Sequence, residues 1–196
     1  GRVVLSATAA QALSVSSLVI DQSSGGRLDL GHGSLTIAAG GMSLAALDAD
    51  LMAGFASGAW SGTSGIMSSA VAAAQALGRS RTIGWIDSGD GTITVSFAAA
   101  GDTNLDGMVD VLDAASLLAG GLLDSGLPAV WAEGNFNYDD VIDVLDVADF
   151  LGTGLLDAGP YDVPLALGSA GSVAAVPEDR KSTRLNSSHA NISYAV

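Results

Sequence analysis

Cysteine is absent from the 196-residue sequence, and this absence restricts the metal chemistry open to the chain. Disulfide bonds and thiolate metal sites are excluded, so a bound metal needs oxygen ligands or one of the two histidines. Oxygen ligands suit hard cations such as calcium. A metal site in this chain is therefore expected among its acidic side chains.

Basic residues are scarce as well. The formal net charge is −14, and no Lys or Arg occurs between positions 83 and 178, whereas thirteen acidic residues lie between 102 and 162. Such a charge opposes binding to nucleic acid and to anionic lipid. The acidic residues recur at fixed spacing within apolar sequence, which solubility alone does not require. This spacing predicts a bound cation.

Long apolar runs are also missing. No run of about eighteen apolar residues predicts a membrane-spanning helix, and Gly1 is not followed by the basic start and apolar block of a signal peptide. We therefore expect a soluble chain whose natural N-terminus lies upstream of Gly1.

The first hundred residues predict a β-rich segment and then a mixed one. In 1–43, short β-type runs alternate with Gly/Ser turns, which is typical of the last rungs of a β-solenoid; a small β-sandwich is the alternative. In 44–100, helical patterns cover 44–54 and 64–77. A β-hairpin follows, with 82–86 and 92–97 flanking an Asp/Gly turn.

A duplicated unit occupies 101–159. A shift of 33 residues aligns 102–126 with 135–159, and thirteen of the twenty-five positions are identical. Each copy begins with a twelve-residue loop that has oxygen donors at positions one, three, five, seven, nine and twelve, the spacing of an EF-hand calcium loop. In the first loop these are Asp102, Asn104, Asp106, the carbonyl of Met108, Asp110 and Asp113. In the second they are Asn135, Asn137, Asp139, the carbonyl of Val141, Asp143 and Asp146.

We predict two bound Ca²⁺ ions, with the first loop binding more tightly. Gly107 permits the sharp turn at position six, where the second loop has Asp140. The second loop also loses one charge, because Asn135 replaces Asp102 at position one. Repulsion among the crowded carboxylates predicts that folding depends on calcium.

A short amphipathic helix is predicted after each loop. Apolar residues recur on one face of it, and we expect this face to be buried, either between the two helices or against the preceding segment. The residues are Val111, Leu112, Ala115 and Leu118 in the first copy and Val144, Leu145, Ala148 and Leu151 in the second.

These loop–helix repeats resemble the type I dockerin family over residues 102–159. A β-type run rather than a helix precedes the first loop, and Asp closes position twelve. The resemblance implies an all-α calcium-binding pair in an extracellular or cell-surface bacterial protein. Dockerins that bind cohesins have polar or basic groups at loop positions ten and eleven, where this chain has Val-Leu twice. A cohesin-like partner is therefore the alternative to burial of this face within the chain.

The C-terminal residues predict a tail without a fold of its own. A linker is expected over 160–178, and Val176-Pro-Glu resembles the start of a PEP-CTERM sorting tail. That resemblance implies membrane attachment only through a missing C-terminal sorting helix. Residues 179–196 resemble a translated sequencing adapter and are excluded from functional reasoning.

The leading interpretation is a calcium-binding, non-catalytic structural module. Its alternatives are a dockerin that attaches a polysaccharide-degrading enzyme to a cohesin-like partner, and a metal-free pair of acid-capped helices. No catalytic set is predicted, and any hydrolase activity would lie in a missing N-terminal portion. We expect His32 to be an exposed turn residue, Asp48 and Asp50 to be surface charges, and Trp60, Trp85 and Trp131 to anchor cores.

Overall fold

Seven strands and four helices occur in residues 1–5 and 11–161, which are the residues that the computed structural model describes. All of these residues belong to one compact unit. The strands are β1 (Arg2–Val4), β2 (Ala12–Val15), β3 (Arg27–Asp29), β4 (Ser34–Ile37), β5 (Gly65–Met67), β6 (Thr82–Asp87) and β7 (Ile93–Ala98). The helices are α1 (Leu44–Phe55), α2 (Ser69–Ala76), α3 (Val111–Ala119) and α4 (Val144–Gly152).

Two sheets form the β-rich part. The first has the order β1-β3-β5 and is parallel throughout. The second has the order β2-β4-β7-β6, in which β2 and β4 are parallel while β7 is antiparallel to both of its neighbours. The predicted hairpin is confirmed as the β6–β7 pair, with Gly89 and Gly91 at positive φ in its turn.

The predicted fold class, a β-solenoid end followed by a separate all-α pair, is wrong. The described chain is a mixed α/β fold with two open sheets and four helices. The parallel stacking of β1 on β3 and of β2 on β4 does not continue as closed rungs, because the hairpin adds antiparallel strands to β4. The duplicated region does not stand apart as an all-α pair, since the short helical turn Trp131–Glu133 between its two copies packs against β6.

Helix α1 matches its prediction and lies unusually close to β5. Ser43 caps its start by accepting the Ala46 amide hydrogen at 3.2 Å, and Leu47 and Leu51, four residues apart, are buried. Near its end, a Cβ on Gly54 would lie 1.6 Å from the Ile66 carbonyl oxygen. Glycine is therefore required here for the close approach of α1 to β5.

The predicted helix over 64–77 is only partly present. Residues 65–67 form β5, which pairs with β3, and α2 begins at Ser69. Ser68 separates the two elements, because its side chain accepts the Val71 amide hydrogen and donates to the Gly31 carbonyl. Pairing with a strand nearly forty residues earlier in the chain overrides the local helical pattern.

Both helices predicted after the acidic loops are present, but the face expected to be buried is exposed. Leu112 is 64% exposed and Leu145 is 57% exposed, and Val111, Leu118, Val144 and Leu151 are exposed as well. Leu117 and Phe150 are instead buried, together with Asp113 and Asp146. The expectation that Val111, Leu112 and their copies pack inside the chain is therefore wrong. No helix in the described part of the chain is long and apolar enough to cross a membrane.

Candidate metal centre

The two acidic loops have the same backbone conformation. Positions four and six have positive φ in both: Leu105 (60°) and Gly107 (85°) in the first, Tyr138 (64°) and Asp140 (74°) in the second. Left-handed backbone is strained for a residue other than glycine. The second loop adopts the same turn as the first, but its backbone is strained at Asp140, whereas Gly107 takes this conformation without strain.

Backbone amides inside the first loop hydrogen-bond to its donor side chains. Asp102 accepts the Asp106 amide hydrogen at 3.1 Å and the Gly107 amide hydrogen at 3.0 Å. Asn104 accepts the Asp106 amide hydrogen at 2.9 Å, and Asp106 accepts that of Met108 at 2.9 Å. These bonds orient the first three predicted side-chain ligands around one turn.

The last two acids of the first loop join the loop to α3. Asp110 caps the helix by accepting the Leu112 amide hydrogen at 2.7 Å. The Asp113 carboxylate in turn accepts the Asp110 amide hydrogen at 2.9 Å. The other Asp113 oxygen accepts the backbone amide and the hydroxyl of Thr103 at 2.9 and 2.8 Å. Asp113 thus links the start of the loop to the start of the helix.

The second loop repeats most of this network. Asp143 caps α4 through Leu145, and Asp146 accepts the amides of Asp143, Phe136 and Asn137. The position-one residues differ. Asn135 accepts the Asp139 amide hydrogen at 3.3 Å, and its own side-chain amide donates to the Ala129 carbonyl.

The chemistry of the donors fits a hard cation. Each loop offers oxygen atoms from Asp and Asn side chains and one main-chain carbonyl, the mixture that calcium favours. Within residues 1–5 and 11–161, no three His, Asp or Glu side chains are grouped closely enough to hold a metal as they stand. The carboxylates bond to loop amides instead, so metal binding would require their free oxygen atoms to converge.

Asp102, at position one, and Asp113 are the most deeply buried predicted ligands of the first loop. Burial raises the pKa of Asp102 to about 6, with further upward contributions from Asp113 and Asp106, although hydrogen bonds from Tyr161 and Gly107 favour the charged form. Burial likewise raises the pKa of Asp146. A bound cation would stabilise the charged form of both groups.

Each loop is held by the segment that follows the helix of the other copy. Val109 of the first loop forms a parallel bridge with Leu156, and Leu123 forms one with Ile142 of the second loop. The amides of Asp157 and Asp124 donate to the carbonyls of Val109 and Ile142 at 2.9 and 2.8 Å. The duplicated units are therefore linked reciprocally through their loops.

Two residues outside the predicted ligand set contact Asp102. The Trp131 indole donates to its carbonyl at 2.8 Å, and the Tyr161 hydroxyl donates to its carboxylate. Trp131 was predicted as a core residue and is buried, as is Trp60, whereas Trp85 is half-buried. Tyr161 lies in the stretch predicted to be a linker, so no local pattern indicated its contact.

The other residues weighed from the sequence lie elsewhere. His32 is in a turn, but it is half-buried with its ring 4.7 Å from that of Phe97, so the expectation of full exposure is wrong. Asp48 is exposed as expected. Asp50 is buried and accepts the Gln22 side-chain amide at 2.6 Å, so it is not a surface charge.

Comparison of the chain with known protein families, curated proteins and solved structures gives no match. Three predictions fall outside the described residues: the resemblance of Val176-Pro-Glu to a sorting tail, the linker expected beyond Tyr161, and the adapter-like stretch 179–196.

Proposed function

We propose that this chain is a calcium-binding, non-catalytic structural module of an exported bacterial protein. The observation that carries the proposal is the recurrence, 33 residues apart, of one loop backbone together with the same side-chain-to-amide hydrogen bonds. Caps for two helices would not require oxygen donors at five alternating positions and at position twelve of both loops.

The charge distribution supports a cation in these loops. Asp102, Asp113 and Asp146 are almost fully buried acids, and the sequence has no Lys or Arg from 83 to 178. Neighbouring buried carboxylates repel one another in their charged form, and a divalent cation offsets this repulsion. Calcium suits the donor set better than magnesium, because magnesium demands near-ideal octahedral geometry and retains its water.

Calcium titration of the full chain after chelator treatment tests this function. We expect two binding events of unequal affinity in calorimetry and a gain of helical signal in circular dichroism. Asp106→Ala should remove the tighter event and Asp139→Ala the weaker, because these residues occupy the same position of the two loops. Asp48→Ala is the control, since it removes one exposed acid on α1.

The two substitutions also distinguish calcium loops from general charge attraction. Equal weakening by Asp106→Ala, Asp139→Ala and Asp48→Ala would indicate diffuse ion binding and contradict the assignment. The absence of both heat and structural change in the unsubstituted chain would leave a metal-free pair of acid-capped helices.

The exposed apolar residues of α3 and α4 favour a second function, attachment to a protein partner. Val111, Leu112, Val144 and Leu145 occupy loop positions ten and eleven and are exposed in both copies. Solvent exposure of paired apolar residues is typical of interaction surfaces. A purified cohesin module titrated with the calcium-loaded chain tests this alternative, and Leu112→Ser with Leu145→Ser should abolish any binding.

A further inference from the structure

Tyr161 approaches the first loop from the far end of the duplicated region. Its hydroxyl donates to Asp102 Oδ2, and its backbone amide donates to the Gly107 carbonyl at 3.0 Å. The Tyr161 side chain is buried, and the Arg81 guanidinium lies 5.1 Å from the centre of its ring. The contact spans 59 positions of sequence, so it arises from tertiary structure and not from the loop itself.

Residues 155–161, which we refer to as the strap, contact the first loop through three of their members. Leu156 bridges Val109, the Asp157 amide bonds to the Val109 carbonyl, and Tyr161 bonds to Gly107 and Asp102. The strap therefore contacts loop positions one, six and eight. Position one is a predicted ligand, and position six is the turn that brings the two halves of the loop together.

The two carboxylate oxygens of Asp102 accept hydrogen bonds from different donors. Oδ2 accepts the Gly107 amide hydrogen at 3.0 Å and the Tyr161 hydroxyl hydrogen. Oδ1 accepts the Asp106 amide hydrogen at 3.1 Å and retains acceptor capacity for a cation. Two donors on Oδ2 fix the rotation of the carboxylate, so Oδ1 is presented in one orientation.

We propose that Tyr161 is a positioning residue that pre-orients Asp102 for calcium and thereby couples calcium in the first loop to the strap. This inference rests on the proposed calcium-binding function. The second loop has an equivalent of the backbone bond, since the Ala129 amide donates to the Asp140 carbonyl at 2.9 Å. It has no equivalent of the hydroxyl bond, because its position-one residue is Asn135, whose side-chain amide donates to the Ala129 carbonyl instead. The contact therefore contributes to the predicted difference in affinity between the loops.

The coupling acts in both directions. Linkage is reciprocal. The free energy by which the Tyr161 contact favours calcium binding therefore equals the free energy by which bound calcium favours the Tyr161 contact. Calcium in the first loop thus stabilises the contact between the strap and the loop, including the position of Tyr161.

Calorimetry in the Asp139→Ala background isolates the first loop and tests the positioning role. Adding Tyr161→Phe should weaken calcium binding by about tenfold, the lower end of the effect typical of groups that orient a metal ligand. Ser68→Ala is the control, since it removes a buried hydroxyl that belongs to neither loop and donates to the Gly31 carbonyl at 2.7 Å. It should leave first-loop affinity unchanged.

The outcomes separate this inference from the function on which it rests. No calcium binding by the Asp139→Ala protein itself would reject the calcium function. Binding that is equally tight with and without Tyr161→Phe, or equally weakened by Ser68→Ala, would reject the positioning role alone.

Hydrogen exchange provides a test that leaves Tyr161 unsubstituted. In the Asp139→Ala protein, calcium should slow exchange of the Tyr161 amide, which bonds to the first loop, more than that of the Asp124 amide, which bonds to the second. Unchanged exchange at Tyr161 on calcium addition would overturn the proposed coupling.

Discussion

At the scale of single residues, buried acids serve two different purposes in this chain. Asp102, Asp113 and Asp146 lie in the loops and bond mainly to loop amides. Asp29 lies far from the loops at the end of β3, where it accepts the amides of Gly31 and Ser69 and pairs with Arg2 at 2.6 Å. The same type of side chain thus supports a candidate metal loop in one place and the end of the central strand of a sheet in another.

Asp29 leads to a prediction about acid stability. Burial alone would raise its pKa, but the Ser69 amide, Arg2 and the Gly31 amide together hold it below the ordinary 3.8. Because the folded pKa lies below the unfolded one, its contribution to the free energy of unfolding is present above the unfolded pKa and disappears as pH falls through the folded pKa.

Asp29→Asn should remove this part of the pH dependence while keeping an acceptor for the two amides. We expect denaturant unfolding to show a smaller loss of stability below about pH 4 in the variant than in the unsubstituted chain. Asp48→Asn, which changes an exposed acid, serves as the control. Parallel stability–pH curves for Asp29→Asn and the unsubstituted chain would contradict this role.

At the scale of elements, α3 and α4 expose most of their apolar residues. Only a narrow face of each helix is buried, with Leu117 in α3 and Phe150 in α4, while the apolar residues at the start of each helix are exposed. The loop imposes this orientation, because Asp113 and Asp146 must turn inward to reach the amides at the start of their loops.

The two faces of α3 should respond differently to truncation. Leu117→Ala should lower the free energy of unfolding by about 2–5 kcal/mol, as is usual for a buried leucine. Leu112→Ala in the same helix should change it by less than about 0.5 kcal/mol, because its side chain is exposed. Denaturant unfolding of both variants is the measurement, and a large effect of Leu112→Ala would show that its face is buried in solution.

At the scale of the whole molecule, two aromatic side chains of the duplicated region contact β6 of the hairpin. Gly84 of β6 lies against Trp131, and an added Cβ would approach the Trp131 Cε2 to 2.5 Å. Tyr138 bonds to the Ile83 carbonyl, and its ring lies 5.3 Å from that of Trp60. The loops are therefore supported by the sheet and do not depend on their own helices alone.

Gly84→Ala tests this support. Overpacking at Trp131 should cost about 1–3 kcal/mol of stability, and it should weaken first-loop calcium binding because the Trp131 indole holds the Asp102 carbonyl. Gly152→Ala is the control, since a Cβ there meets no atom within 4 Å and φ is not positive. A loss of stability with unchanged calcium affinity would show that the loops act independently of the sheet.

The sequence by itself determined what depends on neighbours a few residues away. The 33-residue period is a property of the sequence itself. The start of each helix follows from local hydrogen bonds, such as those from the Leu112 amide to Asp110 and from the Asp110 amide to Asp113, and the hairpin turn follows from its own glycines. Tertiary structure alone decided which helix face is buried, that 65–67 form a strand, and that Tyr161 reaches Asp102. These outcomes depend on partners tens of residues away, whose burial and pairing outweigh local preference and leave no periodic trace in the sequence.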